Sequence, residues 1–362
     1  MWYSPWGQGI SGRSEKPCYD VYRWEASLDK DPVFMQKEKA GGMTRQTPTA
    51  LTAKLQEHFG EVTGRALAEL PGRWKVDQPL HPYTSFRIGG VADALFIPAS
   101  VESLQALLRI ALRSGIPLFP LGNGSNLLVK DKGIRGIVIL LGQAFRLLQV
   151  ETGGEEAIWR VGAGVRLARL VHQAREAGLT GLEFAVGIPA SVGGALKMNA
   201  GTPHGTFGDV VLSATVLESN GEKRKLTLPE MGLAYRTSSL PAGCIVIEVQ
   251  LRLRRGDRHL IYQQIAALDQ RRRETQPLAF PSAGCIFRNP FPWRAGQLID
   301  GAGLKGFRIG DAQVSTQHAN FIVNLGQATA REVLALIDHI KNEVYRRYRL
   351  TLEEEVQIVG EE

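Results

Sequence analysis

Two stretches poor in side chains constrain this chain more than anything else in it. They are Leu121-Gly-Asn-Gly-Ser-Asn-Leu-Leu128 and Val186-Gly-Ile-Pro-Ala-Ser-Val-Gly-Gly-Ala-Leu-Lys-Met-Asn-Ala-Gly201. Apolar residues flank the core of the first (Ile116, Leu118, Phe119; Leu127, Leu128, Val129), so it reads as a tight loop between two short strands. Gly122 and Gly124 can take positive φ and put no side chain in the way. Successive N–H groups in such a turn can converge on an anion; Ser125 and Asn126 add neutral donors, which suits a pyrophosphate held without a metal. Asn-Gly beside a serine is also ordinary turn chemistry, and the octet alone leaves both readings open. The second stretch carries four glycines, which cost backbone entropy unless something must approach the chain closely. Neither loop fits the dinucleotide fingerprint Gly-x-Gly-x-x-Gly or a Walker loop. Two separate loops around one long ligand is a different solution.

The rest of the chain reads as α+β. Residues 1–43 mix Gly, Ser, Lys, Asp and scattered aromatics without a period, so they read as a poorly ordered extension, with Met43 as the natural start. A helix over Ala50–Phe59, with more to Leu67, leads to His81-Pro82. Strand Ala94–Ile97 and helix Val101–Arg113, capped by Ser100 and closed by Gly115, precede the first loop; strand Gly136–Leu140 follows it. Ala144–Val165 reads as two strands joined at Thr152-Gly-Gly154, and Arg166–Ala177 as an amphipathic helix. Val210–Glu218 and Lys223–Leu228 form a hairpin over Asn220-Gly221, and Cys244–Leu253 is a long alternating strand. These make two α+β blocks, about 70–141 and 142–257, with the ligand expected between them. In a third region, 258–362, helix His259–Glu274 leads to a short helix at Gln297–Gly301 and strands Phe307–Ser315 and Asn320–Leu325. A long helix capped by Thr329 and Glu332 and a last strand, Leu352–Val359, follow.

Composition narrows the function. A net charge of +7 is compatible with anionic small molecules. The clusters Arg271-Arg-Arg273 and Arg346-Arg347-Tyr-Arg349 fall on predicted helices and read as solvated faces. Without a recognition motif, zinc spacing or aromatic–basic interleaving, nucleic acid is not an expected partner. No run reaches the ~18 apolar residues of a membrane helix, and the N-terminus has no continuous apolar core. Cys18, Cys244 and Cys285 cannot all pair and lack metal-ligand spacing, which fits a reducing cytoplasm and no metal site.

The order Ser85-Phe-Arg-Ile-Gly-Gly90, Gly122-Asn-Gly-Ser-Asn-Leu-Leu128, Gly187-Ile-Pro-Ala-Ser-Val-Gly-Gly194 resembles the flavin-binding domain of the vanillyl-alcohol-oxidase-like superfamily. Further on, Tyr235-Arg236, Gly284-Cys-Ile-Phe-Arg-Asn-Pro290 and Leu352-Glu-Glu-Glu-Val356 are similar to the UDP-N-acetylenolpyruvoylglucosamine reductase family (MurB). The resemblance runs from about Leu70 to the C-terminus. It implies a two-subdomain FAD-binding domain (44–257) and a C-terminal substrate-binding domain (258–362). It implies a cytoplasmic, monomeric enzyme of peptidoglycan synthesis whose partners are small molecules. That enzyme takes hydride from NADPH and reduces UDP-N-acetylglucosamine enolpyruvate. By the same resemblance, Arg87, Gly122, Asn123, Gly124, Ser125, Asn126, Gly187, Ile188, Ser191, Gly193 and Gly194 would hold the cofactor. No histidine lies in Gly122–Leu128, where related oxidases tether flavin, so FAD is expected to be non-covalent. Arg236 and Cys285 stand only 49 positions apart, too close for the substrate-closing insertion of some members, which points to the type II subgroup. A flavin-dependent sugar or lactone oxidase and a non-catalytic flavin- or nucleotide-binding module are the competing readings.

Three residues stand out as chemistry. Cys285 is either a buried structural thiol or, where the family places its proton donor, an acid far stronger than a serine hydroxyl. A thiol of ordinary acidity would also be oxidisable if exposed. Arg236 is a surface arginine or the bidentate partner of a substrate carboxylate. Glu355 matches the family's terminal Glu-Val; strand alternation would put Glu353 on its face and Glu354 on the other. Tyr235, Asn289, Lys305, Gln317 and His318 are expected at the substrate.

Overall fold

The computed structural model describes residues 20–23 and 47–362. The expectations for residues 1–43 and for Cys18 lie outside them, apart from a short strand β1 (Asp20–Arg23). Helices α1 (Pro48–Phe59) and α2 (Glu61–Ala68) replace the single helix expected there, because Gly60 between them takes φ +83.

The first block is a four-stranded sheet in the order β2-β3-β6-β4, made of β2 (Gly72–Pro79), β3 (Val91–Pro98), β4 (Leu118–Leu121) and β6 (Ile134–Leu140). Its edge strand β2, not expected from the sequence, exposes Arg73 and Asp77, buries Val76 and Gln78, and ends in a proline. Between β3 and β4 runs α3 (Val101–Ser114), whose Leu104, Leu107, Leu108 and Ala111 are buried on the sheet. Ser100 caps it and Gly115, φ +65, ends it, as the sequence indicates. A short strand β5 (Leu127–Val129) leaves this sheet after the first glycine loop.

The second block is antiparallel. Its sheet runs β1-β7-β8-β14-β12-β13, using β7 (Leu148–Gly153), β8 (Glu156–Gly162), β12 (Val211–Leu217), β13 (Lys223–Thr227) and β14 (Ile245–Arg255). The short strand β9 (Leu179–Thr180) also pairs with β14. Helix α4 (Leu167–Ala177) covers it, and the second glycine loop opens α5 (Val192–Lys197) before the small hairpin β10 (Gly201–Thr202) and β11 (Gly205–Thr206). One turn of helix, α6 (Leu228–Met231), follows β13.

In the third region α7 (Arg258–Thr275) leads to the sheet β15-β18-β17-β16, with β15 (Ser282–Cys285), β16 (Arg308–Ile309), β17 (Ala312–Val314) and β18 (Phe321–Asn324). Phe307–Ser315 is thus not one strand but a tight hairpin, turned at Gly310 with φ +55. Helix α8 (Ala295–Gly301) precedes it. Helix α9 (Ala330–Tyr348) buries Val333, Leu336, Ile337, Ile340 and Val344 and has the Thr329–Glu332 capping box. Each such apolar side chain contributes about 1.5–3 kcal/mol by leaving water. The last strand shrinks to β19 (Gln357–Val359), which returns to pair in parallel with β5.

The blocks are knitted together. Leu217, Ile245 and Ile247 of the second block share a core with Leu104, Ile137 and Phe96 of the first. Phe86, Ile88 and Leu128 of the first enter the C-terminal core. Asp131 accepts from Ala330 N and Arg331 N at 2.9 and 3.0 Å, so an acid of the first block complements the dipole of α9. Among the described residues no helix is long and apolar enough to cross a membrane.

Candidate active site

A cleft of about 830 Å³ opens where the three regions meet, and both glycine loops line it. The first loop is pressed against the Tyr83–Ser85 backbone. Gly124 takes φ +65, and a Cβ there would lie 2.2 Å from Tyr83 O. Ser85 N donates to Gly124 O at 3.0 Å, and Asn126 Nδ2 to Glu355 O at 3.0 Å. Among the described residues the backbone N–H groups of Gly124, Ser125 and Asn126 meet no acceptor. A turn with unspent donors is what a pyrophosphate requires.

The second loop is built differently. Several of its N–H groups are used within the protein: Ile188 N to Ala185 O, Val192 N to Val165 O and Gly193 N to Ala163 O, at 2.8–3.1 Å. It offers a thin backbone wall, with the N–H groups of Ala190 and Ser191 left without an acceptor among the described residues. The two loops touch: Asn123 Nδ2 donates to Pro189 O at 3.0 Å, and a Cβ on Gly122 would stand 2.7 Å from Ser191 Oγ. One elongated ligand can therefore lie against both, and the residues present fit an FAD.

Cys285, Arg236 and Glu355 converge on the same cleft. Cys285 ends β15 opposite Phe321. Buried Asn320 fixes the next turn, accepting from Phe287 N at 3.0 Å and donating to Phe287 O at 2.8 Å. Burial, then the charge of Glu355, push the Cys285 thiol up to about 12; Arg236, Asn320 and Arg272 act the other way. The thiol is therefore weaker as an acid than the sequence reading assumes and stays protonated at neutral pH.

Arg236 occupies a two-residue turn closed by Ala234 N to Thr237 O and Thr237 N to Ala234 O. Its φ is +57, a conformation costing a non-glycine residue roughly 1–2 kcal/mol. Such strain is commonly retained at working sites. Arg236 Nε lies 2.6 Å from Glu355 Oε1, yet it makes no well-aligned hydrogen bond. Charge attraction at short range holds this pair. Burial raises the Glu355 pKa against the opposing pull of Arg236 and Arg288. The neighbouring glutamates go elsewhere: Glu354 pairs with Lys341 at 2.8 Å and Glu353 is exposed. Residues 352–356 are not a strand, so alternation does not govern them.

Of the other residues singled out in the sequence, Asn123, Ser125, Asn126, Ile188, Ser191, Gly193, Gly194 and Asn289 also line the cleft. Asn289 Oδ1 accepts from Ala295 N at 3.0 Å and starts α8. Six do not line it: Arg87, Gly187, Tyr235, Lys305, Gln317 and His318. Arg87 is exposed. Tyr235 is 55% exposed, its ring 5.3 Å from the Arg236 guanidinium. Lys305 pairs with Asp300 at 2.8 Å. Gln317 Nε2 donates to Arg273 O and Glu274 O, closing the end of α7. His318 Nδ1 accepts from Asn320 N at 3.2 Å, and burial lowers its pKa. Arg272 and Gln276 do line the cleft. In sequence the Arg271–Arg273 run reads as a solvated face, and three consecutive arginines carry no signal for which one turns inward.

Residues 92–227 match the model of an FAD binding domain, and residues 276–359 match that of the UDP-N-acetylenolpyruvoylglucosamine reductase C-terminal domain. UDP-N-acetylenolpyruvoylglucosamine reductase 2 of Symbiobacterium thermophilum is 47% identical over 297 residues, 82% of this chain and 95% of that relative. The Bacillus subtilis reductase is 42% identical over 293 residues, covering 80% and 95%. The crystal structure of the Thermus caldophilus reductase (MurB) superposes with a TM-score of 0.68 at 39% identity, covering 80% of this chain and 99% of that one. An FAD-binding domain whose two glycine loops meet over a cleft, joined to a matching C-terminal domain, makes this chain an oxidoreductase belonging to the UDP-N-acetylenolpyruvoylglucosamine reductase family.

Proposed function

We propose that the protein uses NADPH to reduce UDP-N-acetylglucosamine enolpyruvate to UDP-N-acetylmuramate, a cytoplasmic step of peptidoglycan precursor synthesis carried out by a monomer. The observation that carries this reading is the convergence of Cys285, Arg236 and Glu355 on the cleft both glycine loops line. FAD, when bound there non-covalently, supplies the relay of hydride from the nicotinamide to the enolpyruvyl double bond.

The chain's own residues supply position, charge and a proton. The open N–H groups at Gly124–Asn126 receive phosphate oxygens, and the wall at Ile188–Gly194 backs the opposite side. Hydride added to the vinyl CH₂ makes it a methyl group and leaves an electron pair on the adjacent carbon, spread into its carboxylate. Arg236 meets that carboxylate with a fixed positive charge, already oriented by Glu355. Glu355, with its ionisation disfavoured by burial, can accept a proton and hydrogen-bond to the carboxylate instead of repelling it. Cys285 Sγ gives its proton to the carbon, completing the lactyl ether. The thiolate left behind has Arg236 to offset its charge and regains a proton from solvent.

Anaerobic titration with NADPH should bleach a yellow protein, and the enolpyruvyl substrate should restore its colour. A protein that takes up no FAD, or that stays bleached after substrate is added, overturns the reading.

A further inference from the structure

One cation at this cleft has no part in the chemistry above. Arg272 stands near the end of α7 between Arg271 and Arg273; both neighbours are exposed, while Arg272 is half-buried and lines the cleft. Its stem crosses the second glycine loop. A Cβ on Gly187 would lie 2.6 Å from Arg272 Cδ and 2.9 Å from Nε. Gly187 takes φ +72, which favours glycine, and this side chain rather than the cleft occupies the space beside it. Among the described residues the Arg272 guanidinium has no hydrogen-bond or ion-pair partner. Asp269, whose charge reaches it, is bound by Arg273 at 2.9 Å. One turn on, Gln276 also lines the cleft, and its Oε1 is buried without a donor. A half-buried guanidinium facing no acid is unfavourable unless an anion meets it, and a buried orphan acceptor needs a donor.

We propose that Arg272, laid over Gly187, is a ligand-binding residue that receives an anionic oxygen of the molecule bound beside Cys285, while Gln276 Oε1 accepts from an adjoining N–H. An oxygen next to an N–H is the edge of a ring imide. Both the flavin ring and the uracil of a UDP-sugar present one, and the flavin's carries negative charge once reduced; the sugar nucleotide also brings phosphate. Naming the flavin or the UDP-sugar as the source rests on the proposed reaction; the unpaired pair Arg272–Gln276 does not.

The test uses FAD-loaded enzyme and two readouts independent of turnover: the flavin midpoint potential and the Kd for UDP-N-acetylglucosamine measured by calorimetry. Arg272→Gln should change one of them by about tenfold in the underlying equilibrium. For the two-electron potential that is about 30 mV more negative. A potential shift alone assigns the oxygen to the flavin; weaker sugar-nucleotide binding alone assigns it to the UDP-sugar. Arg272→Lys should recover part of the loss. Arg272→Met, which keeps an unbranched stem over Gly187, serves if Arg272→Gln does not fold. Folded Arg272→Gln or Arg272→Met enzyme with both values within about twofold of wild type overturns the proposal. Failure to turn over the enolpyruvyl substrate, with either shift present, overturns the reaction and leaves this assignment standing.

Discussion

Gly124→Ala isolates what gives the first loop its shape. At φ +65 an L-residue costs about 1–2 kcal/mol. The new methyl would stand 2.2 Å from Tyr83 O and 2.9 Å from Thr84 Cα. Those atoms cannot yield: Tyr83 is 1% exposed and Thr84 Oγ1 is bonded to Ile88 O at 3.0 Å. The loop must retreat, and Ser85 N to Gly124 O, 3.0 Å, is lost at about 1 kcal/mol more. The sum is about 2–3 kcal/mol, or roughly 30- to 150-fold in FAD affinity if the bound loop must keep its present form. Gly122→Ala is the control. Its Cβ would press only on Ser191 Oγ, at 2.7 Å, a hydroxyl that can turn aside at the loss of its 3.3 Å cap bond from Gly194 N, so its effect should be several-fold smaller. FAD released on dilution, measured by flavin fluorescence, gives both affinities. Equal losses in the two variants, or none in Gly124→Ala, would refute the reasoning.

Arg236→Lys should lower kcat at least about tenfold while the protein folds normally, because a point charge replaces a planar donor set; steady-state kinetics with circular dichroism checks both. Asp131→Asn should lower stability by about 1 kcal/mol, read as a lower urea midpoint, with KM unchanged, since it weakens only the anion at the start of α9. Burial pushes the folded Cys285 thiol up to about 12 from an ordinary value of 9.0. It therefore stays protonated, and kcat should show no alkaline loss from it between pH ~7 and ~10. The stability linked to this thiol is complete below the ordinary value and is lost as pH rises toward the folded one. Urea midpoints should fall across that window, and Cys285→Ala should flatten the fall.

Local signals carried much of the fold. The capping residues Ser100 and Thr329, the hairpin at Asn220-Gly221 and the stripe of α9 depend on neighbours a few positions away, and all are found where the sequence put them. Strand β2 was invisible because an edge strand needs few apolar residues and Gly72–Pro79 has few. Leu352–Glu355 looked like a strand because its composition allows one. The contact that decides is between β19 and β5, residues more than two hundred positions apart. The site divides the same way. Cys285, Arg236 and Glu355 were legible through motif order, and they share one cleft. Arg272 was not legible: its inward turn depends on Gly187 of the distant second loop. Gly187 in turn looked like a cofactor contact because sequence cannot tell which neighbour a bare Cα admits.

The central claim is that two side-chain-poor turns hold one flavin while the C-terminal region supplies a proton from Cys285. Single-turnover stopped-flow on FAD-loaded Cys285→Ala under anaerobic conditions tests it most directly. The variant should be bleached by NADPH at the wild-type rate and then fail to regain colour with the enolpyruvyl substrate. Recolouring at the wild-type rate would remove Cys285 from the reaction and contradict the account.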